Sequence, residues 1–200
     1  MNIQLMNDQS NVLKKSYKTV MEMIADRGYS VLEDAPTPDT YSPEEEFLEV
    51  IGFERGSPTL LVSFLIGKSK IGTADITPFR EMMKNHEVKK AIFIFAGLTV
   101  SDPAREIIQD LKVQNCFIEI FTFLETQINI YRTFDIKYRI LPLQEKMEIM
   151  KQYGLSEKQC LFFHSTDPIP VYFGANSGDM MEIIRPDEPP TYRIVKQKQT

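Results

Sequence analysis

Few residues of this chain are of types that do covalent chemistry. The two histidines, His86 and His164, stand far apart in 200 residues, so a histidine metal cage is excluded. The two cysteines, Cys116 and Cys160, each lie inside an apolar run and read as buried, reduced thiols rather than a disulfide. No Gly-x-Gly-x-x-Gly, Walker loop, Gly-x-Ser-x-Gly or Cys-x-x-Cys is present. One set remains: Asp75, followed by Glu87-Val88-Lys89 at the mouth of a strand. It imitates an Asp…Glu-x-Lys nuclease site, in which two carboxylates hold Mg²⁺ and the lysine polarises the attacking water. Glu-x-Lys triplets are common by chance at helix–strand junctions. Asp75 also precedes a capped helix, where a loop role suffices. The chain therefore reads as having no catalytic residues, no resident metal and no cofactor, with a Mg²⁺-dependent nuclease as the enzymatic alternative. His86 reads as a helix-end or surface histidine.

The elements that would position these residues are strands alternating with helices. Val12, Leu13, Tyr17, Val20, Met21 and Ile24 make one stripe of a helix over 10–27, which Gly28 ends. Asp26 and Arg27 read as its solvated end. After a proline-rich loop over 34–43, Ser42-Pro43-Glu44-Glu45 has the form of a capped helix start, with Phe47, Leu48 and Ile51 as the buried side. Near-continuous apolar runs at 59–66 and 90–96 predict central strands covered on both faces. A third strand over 116–123 carries one charge, Glu119, and should lie nearer an edge. Thr77-Pro78 and Asp102-Pro103 predict helix starts. Phe79, Met82, Met83 and His86 share a face of the first helix, and Ile107, Ile108 and Leu111 face inward from the second.

The alternation predicts an α/β layered N-terminal domain over residues 1–134 and a small C-terminal α/β domain over 135–200. In the latter, Pro142 opens a helix that Gly154 ends. Leu143, Met147 and Met150 would be its buried side, with Glu145, Lys146, Glu148 and Lys151 in solvent.

Apolar residues at 42% and charged residues at 26% fit a soluble globular protein. A net charge of −5 argues against a chain that holds DNA alone, since phosphate neutralisation supplies most of such affinity, while leaving room for a local DNA contact. No run approaches the ~20 apolar residues of a membrane span, and the first residues lack a signal peptide's basic head and apolar core. An intracellular protein without a membrane partner is expected.

The most organised stretch is near the C-terminus. Asp-Pro-Ile-Pro-Val-Tyr-Phe-Gly from Asp167 is followed by Asn176-Ser177-Gly178, then Met-Met-Glu-Ile-Ile-Arg-Pro and Tyr192-Arg193. Two apolar runs around a glycine-bearing turn predict a hairpin. Arg185 and Arg193, set among apolar neighbours, should each meet a carboxylate or a backbone carbonyl. With no nucleophile–base pair, the stretch reads as a docking surface.

The same residues resemble a family: the subunit shared by eukaryotic nuclear RNA polymerases I, II and III, whose C-terminal part corresponds to a smaller archaeal polymerase subunit. The resemblance rests on Thr166-Asp167-Pro168-Ile169, Tyr172-Phe173-Gly174, Ile183-Ile184-Arg185-Pro186 and Tyr192-Arg193 in that order. Asp26-Arg27-Gly28-Tyr29 matches the end of the family's first helix. Lys70 to Met83, Asn129-Ile130 and the Leu141-Pro142-x-x-Glu145-Lys146 helix extend the match over most of the chain.

What the resemblance implies is a non-catalytic polymerase subunit. Its N-terminal domain, of nuclease-like fold without nuclease activity, would form a jaw beside downstream duplex DNA. Its C-terminal domain would pack on the largest subunit and neighbouring assembly subunits through Pro168, Tyr172, Gly174, Arg185, Pro186, Tyr192 and Arg193. Thr99 and Ser101 would lie nearest the DNA, as weak phosphate contacts. A helix cap is an equal reading of Ser101 or Asp102.

The chain departs from the family pattern at Val171, where an arginine is usual, and at Cys160-Leu161-Phe162-Phe163. The histidines expected within 134–139 are absent, the segment between Pro186 and Tyr192 is short, and Val100 and Asp102 alter the DNA-proximal loop. These imply a diverged partner, such as the polymerase of a large cytoplasmic DNA virus. The compartment would then be the host cytoplasm or virion, and the nucleus for a cellular polymerase. A free transcription-regulator adaptor is the other alternative.

Overall fold

A computed structural model describes residues 3–40, 47–54, 56–66, 68, 70–97, 99–132 and 135–197, without the side chains of 3–9 and 130. The expected capping box at Ser42–Glu45 and the expected domain join at 133–134 lie outside the described residues. The chain is mixed α/β and divides into two compact units, Met1–Ile128 and Asn129–Thr200.

The first unit opens with α1 (Ile3–Asp26) and β1 (Ser30–Val31), followed by β2 (Phe47–Glu54), β3 (Ser57–Leu65) and β4 (Lys70–Ile71). Then come α2 (Thr73–Asn85), β5 (Lys90–Phe95), β6 (Thr99–Val100), α3 (Asp102–Val113) and β7 (Phe117–Thr122). Its five-stranded sheet has the order β1-β2-β3-β5-β7. β3, β5 and β7 run parallel, joined through α2 and α3, while β1 and β2 are antiparallel additions.

The two apolar runs do become central strands: Leu60–Leu65 and Ala91–Phe95 are buried throughout. On one face Phe93 packs against Phe79 of α2 with ring centroids 4.6 Å apart. On the other, Phe64 lies between Tyr17 of α1 and Phe123. β7 is at the sheet edge, as its lone Glu119 predicted.

Three expectations for this unit change. Phe47, Leu48 and Ile51 belong to a strand. Leu48, Val50 and Gly52 are buried while Phe47, Glu49, Ile51 and Phe53 are half-buried. That period of two, paired to β3, overrode the helix-start signal upstream. The helix expected to start at Thr77-Pro78 begins five residues earlier. Gly72 is its N-cap, Asp75 Oδ2 accepts the Gly72 N–H at 2.8 Å, and Pro78 falls inside the helix. Arg27 is not a solvated helix end: its side chain is 6% exposed, and Nη1 and Nη2 donate to Glu119 at 2.7 and 2.8 Å.

The second unit begins with a single 3-10 turn, Ile130–Arg132, then β8 (Lys137–Ile140), α4 (Leu143–Tyr153) and β9 (Phe162–His164). α5 (Pro168–Phe173), β10 (Met180–Ile184) and β11 (Thr191–Lys196) complete it. The four-stranded sheet runs β8-β10-β11-β9, antiparallel except for β11 with β9. Met181, Ile183, Val195 and Phe163 form its core with Ile169 and Phe173 of α5.

The predicted hairpin is displaced. Its first arm, Pro168–Phe173, is a helix, because two prolines preset helical φ and give a first turn without N–H demand. The hairpin is β10–β11, turning through 185–190. α4 also faces otherwise than expected. Leu143 is 71% and Met147 63% exposed, whereas Lys146 is buried and donates to Glu157 Oε1 at 2.5 Å and to the Gly178 carbonyl at 2.7 Å.

Candidate assembly surface

The nuclease-like set does not converge. At about 1.5 Å rise per residue, the helix from Asp75 to Asn85 puts roughly 15 Å between Asp75 and the Glu87 end, too far for one Mg²⁺. Asp75 is buried in its cap and paired with Lys68 Nζ at 2.5 Å. Glu87 and Lys89 line a separate cleft of about 620 Å³ with Arg80, Lys84 and Cys116. Among the described residues no group of three metal-ligating side chains comes together. His86 caps the C-terminus of α2, with Nε2 3.9 Å from Glu49. Both cysteines are free thiols and half-buried rather than fully buried.

Thr99 and Ser101 lie where β6 meets α3. Thr99 and Val100 pair with Lys70 and Ile71 in a short parallel bridge, and Ser101 N–H donates to the Ile71 carbonyl at 2.9 Å. Ser101 is the N-cap of α3, its Oγ accepting from Ala104 N–H at 3.4 Å, so the cap reading belongs to Ser101 rather than Asp102. Thr99 is exposed and Ser101 half-buried. A hydroxyl that accepts as a cap keeps its own proton to donate.

In the second unit the seven candidate residues divide. Pro168 begins α5 and is exposed, as is Pro186. Tyr172 is a core residue. It is 6% exposed, with its ring centroid 4.2 Å from that of Tyr131 and its hydroxyl accepting from Asn129 Nδ2 at 2.8 Å. Gly174 caps α5 at φ +65°, a left-handed conformation that glycine adopts without strain. Arg185 Nη1 reaches Thr191 Oγ1 at 3.1 Å and Glu188 at 3.7 Å.

Tyr192 donates to Glu182 Oε1 at 3.3 Å, on the same carboxylate that accepts from Arg139 Nε at 2.6 Å. Burial first, and the Glu182 charge second, raise the Tyr192 pKa. Arg193 meets a ring rather than a carboxylate: its guanidinium carbon is 4.8 Å from the Phe163 centroid. The sequence cannot show this, because Phe163 comes from a strand thirty residues earlier.

Sequence reading missed a groove of about 410 Å³ lined by Tyr131, Ile136, Tyr138, Phe163, Asp167, Pro168 and Ile169. Of these only Pro168 was a candidate docking residue, although Phe163, Asp167 and Ile169 fall in runs already noted. The lining comes together only once β8, β9 and α5 are in place. Burial, with the nearby Tyr138 contributing less, pushes the Tyr131 hydroxyl up to about 12 from 10.0. A raised folded-state pKa favours the protonated native form. The stabilisation is complete below pH 10 and is lost as pH rises towards about 12. Urea unfolding of the full chain is expected to show stability falling across that window, and Tyr131→Phe should flatten the fall. An equal slope in the variant would refute the assignment.

Residues 131–195 match the family model described as RNA polymerase Rpb5, C-terminal domain. Full-length relatives agree along most of both chains. The protein named DNA-directed RNA polymerases I, II, and III subunit RPABC1 of Caenorhabditis briggsae is 29% identical over 89% of this chain and 92% of its own. Its namesake in Dictyostelium discoideum is 25% identical over 92% and 97%. DNA-directed RNA polymerases IV and V subunit 5B of Arabidopsis thaliana is 22% identical over 86% and 82%.

Proposed function

We propose that this chain, similar along most of its length to the subunit shared by RNA polymerases I, II and III and matching the model of that subunit's C-terminal domain over residues 131–195, is a non-catalytic structural subunit of a multisubunit DNA-directed RNA polymerase. The observation that carries the reading is the extent of the similarity: it runs through both units, over 89% and 92% of the chain in two relatives. The C-terminal unit docks on the largest subunit and its neighbours. Pro168, Arg185 and Pro186 touch the partner, while Tyr172, Gly174, Tyr192 and Arg193 shape that surface from within.

The N-terminal unit stands near downstream duplex DNA. Thr99 and Ser101 offer hydroxyls to phosphate, a positioning contact without base readout. Asp102 in the first turn of α3 sets a negative charge beside them and keeps that contact weak. The departures at Val171, Val100 and Leu161-Phe162 suit a dedicated, diverged partner, such as the polymerase of a large DNA virus. Its work is then in the host cytoplasm or virion, and in the nucleus for a cellular enzyme.

The test is a tagged pull-down from the native source at moderately high salt, with mass spectrometry of stoichiometric partners. Two very large polymerase subunits, one copy each, are the expected result. Recovery of the chain alone would sink the reading. Substoichiometric, salt-sensitive association would favour a free transcription-regulator adaptor instead. Ready incorporation into a cellular nuclear polymerase would count against a dedicated, diverged partner.

A further inference from the structure

We propose that the groove beside α5 receives one apolar side chain of the largest polymerase subunit, on a segment where an adjacent lysine or arginine pairs with Asp167. The proposal rests on the assembly reading and names the chemistry of the partner at that surface. The walls are apolar: Ile136, Tyr138, Phe163 and Ile169, with Pro168 at the lip. At about 410 Å³ the groove has room for one large side chain and part of its neighbour. A small polar metabolite is a poor fit, because such ligands are oriented by several convergent polar groups.

Asp167 is the one charged side chain among the lining residues. Its Oδ2 accepts the His164 N–H at 2.8 Å, and Oδ1 has no hydrogen-bond partner among the described residues. A purely apolar occupant would strip water from that carboxylate and replace it with nothing, which is unfavourable. An acidic flank would be repelled. A cation beside the anchor restores a charge-assisted bond and fixes the register of the docked segment.

The test uses the full chain assembled into the polymerase. A benzoylphenylalanine photo-crosslinker is placed at the exposed lip position, Pro168, and the attached peptide is identified by mass spectrometry. The expected peptide comes from the largest subunit and carries a leucine, isoleucine, methionine or phenylalanine next to a lysine or arginine. A peptide without a basic residue, or one from a second copy of this chain, overturns the proposal.

Two variants give an independent reading. Asp167→Asn keeps an acceptor for His164 N–H but removes the charge. Retention of the large subunit should fall about 10-fold and lose much of its salt dependence. Ile136→Glu puts a second carboxylate in the groove and should weaken retention by at least about 10-fold. Thermal melts matching the parent chain establish that both variants fold. If folded variants retain the large subunit like the parent, the groove proposal fails and the assembly reading stands. If the parent chain retains no large subunit, both fail together.

Discussion

Glu119→Ala is expected to cost the N-terminal unit about 3 kcal/mol, more than the loss from Arg27→Met at the other end of the same pair. The asymmetry follows from exposure. The Arg27 side chain is 6% exposed and the Glu119 side chain 38% exposed. Removing the glutamate takes two charge-assisted bonds from a guanidinium held from water. Removing the arginine leaves a carboxylate that water can reach, so about half the loss is expected. The pair is bidentate, Nη1 on Oε1 and Nη2 on Oε2, which fixes orientation as well as energy. It ties the end of α1 to the edge strand β7 across 92 residues of sequence.

The double variant Arg27→Met/Glu119→Leu should recover most of the loss, because well-packed apolar replacements of buried pairs are often neutral. Urea unfolding followed by circular dichroism gives the four stabilities. Native-state hydrogen exchange at β7 amides separates this unit from the other. If the double variant is as unstable as the sum of the single ones, the pair is not acting as a coupled unit.

This clamp also marks where sequence reading stops. The central strands were legible because a strand buried on both faces must be apolar throughout, and Leu60–Leu65 and Ala91–Phe95 nearly are, with Ser63 the one polar residue among them. The edge position of β7 was legible from a single glutamate. The partner of that glutamate was not, because nothing in the local pattern at Arg27 distinguishes a clamped helix end from a solvated one. Where local signals competed with tertiary pairing, pairing won. Phe47–Glu54 followed a helix-start signal yet forms a strand against β3, and the carboxylate of Asp75 began α2 ahead of the more familiar Thr77-Pro78 signal.

In the C-terminal unit the types of the candidate residues did not foretell how their side chains pack. Tyr172 supports from inside, and Arg193 lies on a ring. The groove beside Pro168 arises from residues whose separations in sequence carry no period. Motif resemblance drew attention to the segment around Pro168, but could not reveal the cavity next to it.

Lys146→Met is the second large effect expected, at about 1–3 kcal/mol, and it tests why α4 faces as it does. Lysine is seldom buried without partners. Here Nζ bonds both Glu157 and the Gly178 carbonyl, joining α4 to the turn that precedes β10. The two partners are not equivalent. The Glu157 side chain is 55% exposed and can be rehydrated, so Glu157→Gln should cost less than about 1 kcal/mol. The carbonyl belongs to a fixed backbone turn, whose own Gly178 N–H is held by the Val195 carbonyl at 2.8 Å. Without the lysine that carbonyl loses a charged donor it cannot readily replace.

With Lys146 as the inward anchor of α4, Leu143 and Met147 are carried to the outer side, against the expectation from apolar spacing alone. Lys146→Met should therefore raise hydrogen exchange at α4 amides and at 178–180 together, beyond the fall in global stability. If Glu157→Gln matches Lys146→Met in urea unfolding, the ion pair rather than the carbonyl contact holds the helix. If neither changes exchange in α4, the helix owes its orientation to something other than this lysine.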